Sequence, residues 1–158
     1  MARAKAIKDM KAREIMSDVL VMLESDMTAK EAAQIFKRNR ITGAPVVDEA
    51  GQVAGVLSVT DLMAKETGAD LEAKKATGYY HQSDLVTMSQ EVGAYHANTP
   101  VAEIMEREFV SAPSSAPVAK LASLMLQKKI RRVLIIDNRR LVGIVTQTDI
   151  LKAVAHQV

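Results

Sequence analysis

The chain repeats itself, and this duplication restricts its architecture more than any other feature. Glu14-Ile15-Met16 recurs as Glu103-Ile104-Met105, and sliding one half along the other keeps Val21 on Val110, Ala33 on Ala122, Ile41 on Ile130 and Asp48 on Asp137. One residue is then lost in a turn, after which Gly55-Val56-Leu57-Ser58-Val59-Thr60-Asp61 lies on Gly143-Ile144-Val145-Thr146-Gln147-Thr148-Asp149. Two copies of roughly fifty residues point to two equivalent supersecondary units.

Each copy reads as the same string of elements. In the first, Thr28-Ala29-Lys30-Glu31 is a capping box, and Ala32, Ala33, Ile35 and Phe36 follow at helical spacing to about Asn39. Ala44-Pro45-Val46-Val47-Asp48 and Val53 to Ser58, separated by a turn at Glu49-Ala50-Gly51-Gln52, form a hairpin, after which Leu62 and Met63 open another helix. In the second copy Ser114-Ser115-Ala116-Pro117 starts the helix, with Pro in its first turn and Leu121, Leu124 and Met125 as its buried stripe. Val133 to Asp137 and Leu141 to Thr146 are its strands.

The expected fold class is therefore α+β, with two tandem β-α-β-β-α repeats. Neither repeat is long enough to cover its own apolar sheet face, so the two should pack sheet to sheet about a pseudo-twofold axis. The expected divisions are a basic N-terminal segment 1–13, repeat 1 at 14–65, a helix extension and linker at 66–100, and repeat 2 at 101–154.

Composition narrows the chemistry. The 48% hydrophobic residues fill a core for 158 residues, and only 3% aromatics means that core is aliphatic. Cysteine is absent, which excludes disulfides, thiolate metal sites and cysteine nucleophiles and suits a reducing cytoplasm, the expected location. Met1 to Arg13 is basic without a continuous apolar stretch, so a signal peptide or membrane span is not expected. The net charge of +2 is too small to make nucleic acid the expected partner. No nucleophile with a paired base and no Walker or Rossmann glycine pattern occurs, so no catalytic residue is assigned and the chain is not read as an enzyme. His81, His96 and His156 lack ligand spacing, and no metal site is expected. Tyr79, Tyr80 and Tyr95 are read as packing the linker.

The duplicated heptad carries the functional signal. Its form is Gly, two aliphatics, a hydroxyl residue, any residue, a hydroxyl residue, then Asp, and it falls where a strand ends and a helix begins. Unpaired N–H groups at a helix start favour anions, and Ser and Thr there either cap the helix or donate to a phosphate. An Asp one turn in can accept from the two hydroxyls of a ribose. Ile41, Ile130, Val21 and Val110 could wall a purine base. The same Ser/Thr–Asp pattern is also an ordinary N-terminal cap, and the two glycines could simply permit close packing.

These pieces together, the Ala44-Pro45-Val46-Val47-Asp48 and Leu134-Ile135-Ile136-Asp137 strands and both heptads, resemble the CBS domain family, named after cystathionine β-synthase. The resemblance covers nearly all of residues 14–65 and 101–154. It implies a regulatory module, here standing alone, that binds AMP, ADP or ATP, or S-adenosylmethionine, in clefts between the repeats and pairs into flat homodimers. It implies that Asp61 and Asp149 hold ribose hydroxyls, with Ser58, Thr60, Thr146 and Thr148 near ribose or phosphate. In this family the residues before the second strand of one repeat reach the cleft governed by the other repeat's Asp. Those residues are Arg131 and Arg132 in one copy and the uncharged Thr42 and Gly43 in the other. Guanidinium pairs well with phosphate, so the cleft using Asp61 with Arg131 or Arg132 is the expected phosphate site, and the Asp149 cleft the weaker one. The competing reading is a dimeric scaffold or nucleic-acid binder, motivated by Arg3, Lys5, Lys8, Lys11 and Arg13 and by the basic run at 128–132.

Overall fold

The computed structural model describes residues 6–18, 21–63 and 97–156; the expected linker at 66–100, with His81, His96 and all three Tyr, lies almost wholly outside them. In chain order the elements are a 3-10 turn at Ile7–Asp9, α1 (Ala12–Ile15), β1 (Leu23–Glu24), α2 (Ala29–Asn39), β2 (Gly43–Val47), β3 (Val53–Ser58) and α3 (Val59–Met63). There follow α4 (Val101–Ile104), β4 (Ser111–Ala112), α5 (Val118–Lys128), β5 (Arg132–Asp137), β6 (Arg140–Thr146) and α6 (Gln147–Ala155). The α+β class and the duplicated strand–helix–hairpin–helix string are as the sequence predicts.

Two compact units result: a central unit, Val21–Glu108, and a C-terminal unit in which Phe109–Val158 is joined by Met1–Leu20. The central unit holds a three-stranded sheet in the order β1-β2-β3, with β1 parallel and β3 antiparallel to β2. The C-terminal unit repeats it as β4-β5-β6. The middle strands are buried on both faces, which is why Ala44-Pro45-Val46 and Val133-Leu134-Ile135 read as unbroken apolar runs. Phe36, Leu23, Val46 and Leu57 centre one core; Leu121, Val133, Ile135 and Val145 centre the other.

Local chemistry sets the helix limits. Thr28 caps α2 by accepting from the Glu31 N–H, while Glu31 Oε2 accepts from the Thr28 N–H at 2.8 Å, closing the predicted box. Helix α5 starts at Val118 with Pro117 as an N-cap that makes no side-chain bond, so the proline stands just outside the helix. Its buried stripe is Val118, Leu121 and Met125; Leu124 is only half-buried. Helix α3 begins at Val59, three residues before the predicted start, and this puts Asp61 in its first turn. The lost residue is explained by the turns: Asn138 and Arg139, both at positive φ, make a two-residue connection in the second hairpin. The first uses a longer turn, with Gly51 at φ 76° and Asp48 Oδ1 accepting from the N–H groups of Ala50 and Gln52.

The units cut across the sequence repeats. The head of the first repeat joins the second repeat's sheet: Ser17 and Ile144 exchange N–H···O=C bonds of 2.9 and 3.1 Å, and the Ala12 N–H donates to the Ala116 carbonyl at 2.8 Å. The head of the second repeat does the same in the central unit, where Val56 and Glu106 exchange two 2.9 Å bonds and the Val101 N–H reaches the Met27 carbonyl at 2.7 Å. Each head thus covers part of an edge strand, β3 or β6, whose backbone would otherwise lack partners on that side. The approach is close at both glycines, against backbone at Gly55 and mainly against a flexible side chain at Gly143. A Cβ on Gly55 would lie 2.5 Å from the Glu106 carbonyl oxygen, and one on Gly143 2.5 Å from Met16 Sδ. Close packing is therefore the role of the first position of each heptad.

Candidate functional site: two strand-to-helix corners

The end of each heptad folds into one hydrogen-bonded corner. At the β3–α3 junction the Ser58 N–H and hydroxyl donate to Asp61 Oδ2 at 2.7 and 2.8 Å, and the Asp61 N–H donates back to Ser58 Oγ at 3.4 Å. At β6–α6 the Thr146 N–H and hydroxyl donate to Asp149 Oδ2 at 2.7 and 2.8 Å, with the Asp149 N–H returning to Thr146 Oγ1 at 3.3 Å. Both are capping boxes with Asp in the reciprocal position. The first hydroxyl of each motif spends its proton on its own aspartate and is not a phosphate donor in this state. The four bonds that Ser58 and Thr146 donate to the carboxylates converge on Oδ2 in both corners.

The segment before each middle strand is stitched to the same corner. The Val59 N–H donates to the Thr42 carbonyl at 2.9 Å, and Gly43 pairs across from Ser58. Equivalently, the Gln147 N–H donates to the Arg131 carbonyl at 3.0 Å, and Arg132 pairs across from Thr146. The central unit therefore assembles Thr42, Gly43, Ser58, Thr60 and Asp61, with Ile41 packed against its core. The C-terminal unit assembles Arg131, Arg132, Thr146, Thr148 and Asp149, with Val110 and Ile130 packed against its core. Both aspartates are half-buried, whereas Thr42, Arg131 and Thr148 are exposed. Arg131 and Asp61, matched by the family pattern, belong to different units.

Two features of the corners escape sequence reasoning. The heptad's variable position is Val59, buried in the central unit, but Gln147, exposed in the other, where its Nε2 donates to the Ile130 carbonyl at 3.4 Å. The second concerns the candidate base walls. The Val110 carbonyl accepts from the Leu134 N–H at 3.0 Å, but the residue equivalent to Leu134 is Pro45, which has no N–H to offer Val21. Pro45 was the visible signal, and only the parallel pairing of β1 with β2 shows what it withholds.

The Ser114 hydroxyl and N–H, with the Arg13 charge, hold Asp137 below its usual 3.8, and the Thr28 bonds lower Glu31 similarly. His156 Nδ1 sits 2.7 Å from the Lys152 carbonyl on its own helix. Among the described residues no group of three or more His, Asp or Glu is placed to hold a metal, and no helix is long and apolar enough to cross a membrane.

With this geometry in view, the comparisons with known proteins converge. The family model for the CBS domain matches twice, at residues 12–67 and 101–156. The chain is 27% identical over 154 residues to uncharacterized protein MJ1404 of Methanocaldococcus jannaschii, covering 98% of this chain but only 34% of that protein. It is 26% identical over 138 residues to the CBS domain-containing protein YhcV of Bacillus subtilis, covering 87% of this chain and 81% of that one. Among solved structures, the CBS domain pair of protein MJ0100 in complex with 5'-methylthioadenosine and S-adenosyl-L-methionine superposes with a TM-score of 0.67 at 25% identity, covering 94% of this chain and 98% of the other. CBSX2 in complex with AMP superposes at 0.69 and 21% identity, covering 92% and 96%.

Proposed function

This chain belongs to the CBS domain family, and from that premise we propose that it is a regulatory module that binds an adenine nucleotide, AMP, ADP or ATP, and pairs with a second copy of itself. The observation that carries the reading is the duplicated corner: a half-buried aspartate held through Oδ2 where a strand ends and a helix begins, at equivalent places in both copies. A carboxylate oxygen positioned by its own cap is a preorganised acceptor for ribose hydroxyls. The second hydroxyl of each motif, Thr60 or Thr148, supplies contacts near ribose or phosphate, while Ser58 and Thr146 position the carboxylate. The family pattern assigns the phosphate-partner role to Arg131 or Arg132.

Pro45 supports an adenine ligand. A Val21 carbonyl that receives no N–H from the middle strand can accept from the exocyclic amino group of adenine; guanine presents a carbonyl at that position. Val110, whose carbonyl already takes the Leu134 N–H, has less to offer. This favours the Asp61 side as the stronger site, in agreement with the charge argument from Arg131 and Arg132. The MJ0100 pair, solved with two adenosine compounds, supports the ligand class.

Calorimetry with AMP, ADP, ATP and S-adenosylmethionine, and GTP as control, tests the reading. Asp61→Asn keeps an acceptor for the cap but removes the charge, and should weaken binding about tenfold to a hundredfold, since a charge-assisted hydrogen bond contributes about 1.5–3 kcal/mol. Asp149→Asn should cost less. Absence of binding by all four adenine compounds would sink the sensor reading and leave a scaffold.

A further inference from the structure

The net charge of +2 conceals a division between the two repeats that widens once the heads are assigned to their units. The C-terminal unit carries thirteen Lys and Arg against five Asp and Glu, a formal +8; the central unit carries eight against fourteen, a formal −6. The opposition is built on one fold by exchange at equivalent positions. Glu31 in the central unit is matched by Lys120, Thr42 by Arg131, Gly43 by Arg132, and Asp26 by the uncharged Ser115. The C-terminal unit's few acids are also partly committed. Glu14, Asp137 and Asp149 each accept from backbone N–H groups at a helix or loop start.

Among the described residues, the exposed large apolar side chains of the basic unit lie on two packed helices. Leu126 on α5 is 77% exposed and Leu151 on α6 67%, with Val154 one turn beyond Leu151. At the position equivalent to Leu126 the central unit has Lys37. We propose that this chain self-associates through unlike units, the basic C-terminal unit of one copy docking on the acidic central unit of another. This inference rests on the pairing proposed above and adds its orientation. The occupant is argued from charge. Pairing like units would set +8 against +8 or −6 against −6, whereas pairing unlike units sets +8 against −6. Apolar burial supplies affinity in such contacts, and charge complementarity selects partner and orientation. With a screening length of about 8 Å at physiological ionic strength, that selection weakens as salt is added.

The test uses sedimentation velocity over a concentration series at 50 and 500 mM salt, on the wild type and on two variants verified as folded by circular dichroism. One variant carries Lys120→Glu with Lys152→Glu in the basic unit; the other carries Asp26→Lys with Glu49→Lys in the acidic unit. All four positions are exposed. Unlike pairing requires each variant to dimerise about tenfold more weakly, and the wild type to weaken at high salt. Like pairing requires the opposite sign, because each variant then relieves repulsion. A wild-type dimer that holds its affinity or tightens in the variants overturns the orientation while leaving pairing intact. A wild type that is monomeric at every concentration overturns pairing itself, and so does a monomer that instead binds duplex DNA with steep salt dependence.

Discussion

Alanine at Gly55 and at Gly143 makes the same chemical change at equivalent positions, yet the surroundings predict different outcomes. At Gly143 the new methyl would meet Met16 Sδ at 2.5 Å and Cγ at 2.9 Å, with the Ser17 carbonyl at 3.0 Å. The first two atoms belong to a flexible side chain that can change rotamer. At Gly55 the nearest atom is the Glu106 backbone carbonyl at 2.5 Å, followed by Met105 Sδ at 2.9 Å. That carbonyl accepts from the Val56 N–H at 2.9 Å, so relieving the clash means displacing the bridge that holds the head to β3. Overpacking costs about 1–3 kcal/mol, and Gly143→Ala should fall near the low end and Gly55→Ala at or above the high end. For a chain of this size each kcal/mol lowers Tm by about 2–4 °C, giving losses of about 3 °C and about 9 °C. A double-mutant cycle sharpens the distinction. Met16→Ala should recover most of the Gly143→Ala loss, a coupling of about 1 kcal/mol, whereas Met105→Ala should recover little of the Gly55→Ala loss. Equal destabilisation of the two glycine variants, or additivity of Met16→Ala with Gly143→Ala, would refute the reasoning.

Other expectations follow from local geometry. Arg40 and Lys129 end α2 and α5 at φ 53°, so Arg40→Gly or Lys129→Gly should stabilise by about 0.5–1 kcal/mol in urea melts; a loss would show that the lost side chain outweighs the relieved backbone. Thr28→Ala removes the acceptor of the α2 capping box and should cost about 1 kcal/mol in the same assay. Asp137, held below 3.8 by Ser114, contributes stability that is fully present above its unfolded value and disappears as pH falls through its lower folded value. The Tm difference between wild type and Asp137→Asn should therefore be constant above about pH 5 and vanish toward pH 2; a difference that persists in strong acid would assign the effect to packing.

Much of the corner was legible from residues near one another in sequence. The capping box at Thr28 and Glu31, the strand Val53–Ser58 and the end of α2 at Asn39 all depend on contacts within a few positions, which spacing encodes directly. The start of α3 was misplaced because Val59 and Thr60 have poor helix propensity, and the Ser58–Asp61 cap that offsets it could also be read as a ligand motif. Geometry shows that the first hydroxyl serves the cap. The role of Pro45 was hidden for a different reason: its missing N–H matters only to Val21, a neighbour created by strand pairing.

By itself, then, the sequence determined the duplicated string of elements, the α+β class and the family, because periodicity, caps and turns are local and the duplication states them twice. Tertiary structure alone decided which head closes which sheet. The bonds from Ser17 to Ile144 and from Glu106 to Val56 join residues far apart in the chain, and no spacing rule distinguishes a head that covers its own repeat's edge from one that covers the other's. From that single assignment follow the close approach of a head at Gly55 and at Gly143 and the widening of the charge difference between the repeats into one basic and one acidic unit. Close packing and electrostatic fields depend on which groups are neighbours in space, and that neighbourhood exists only once the chain has folded.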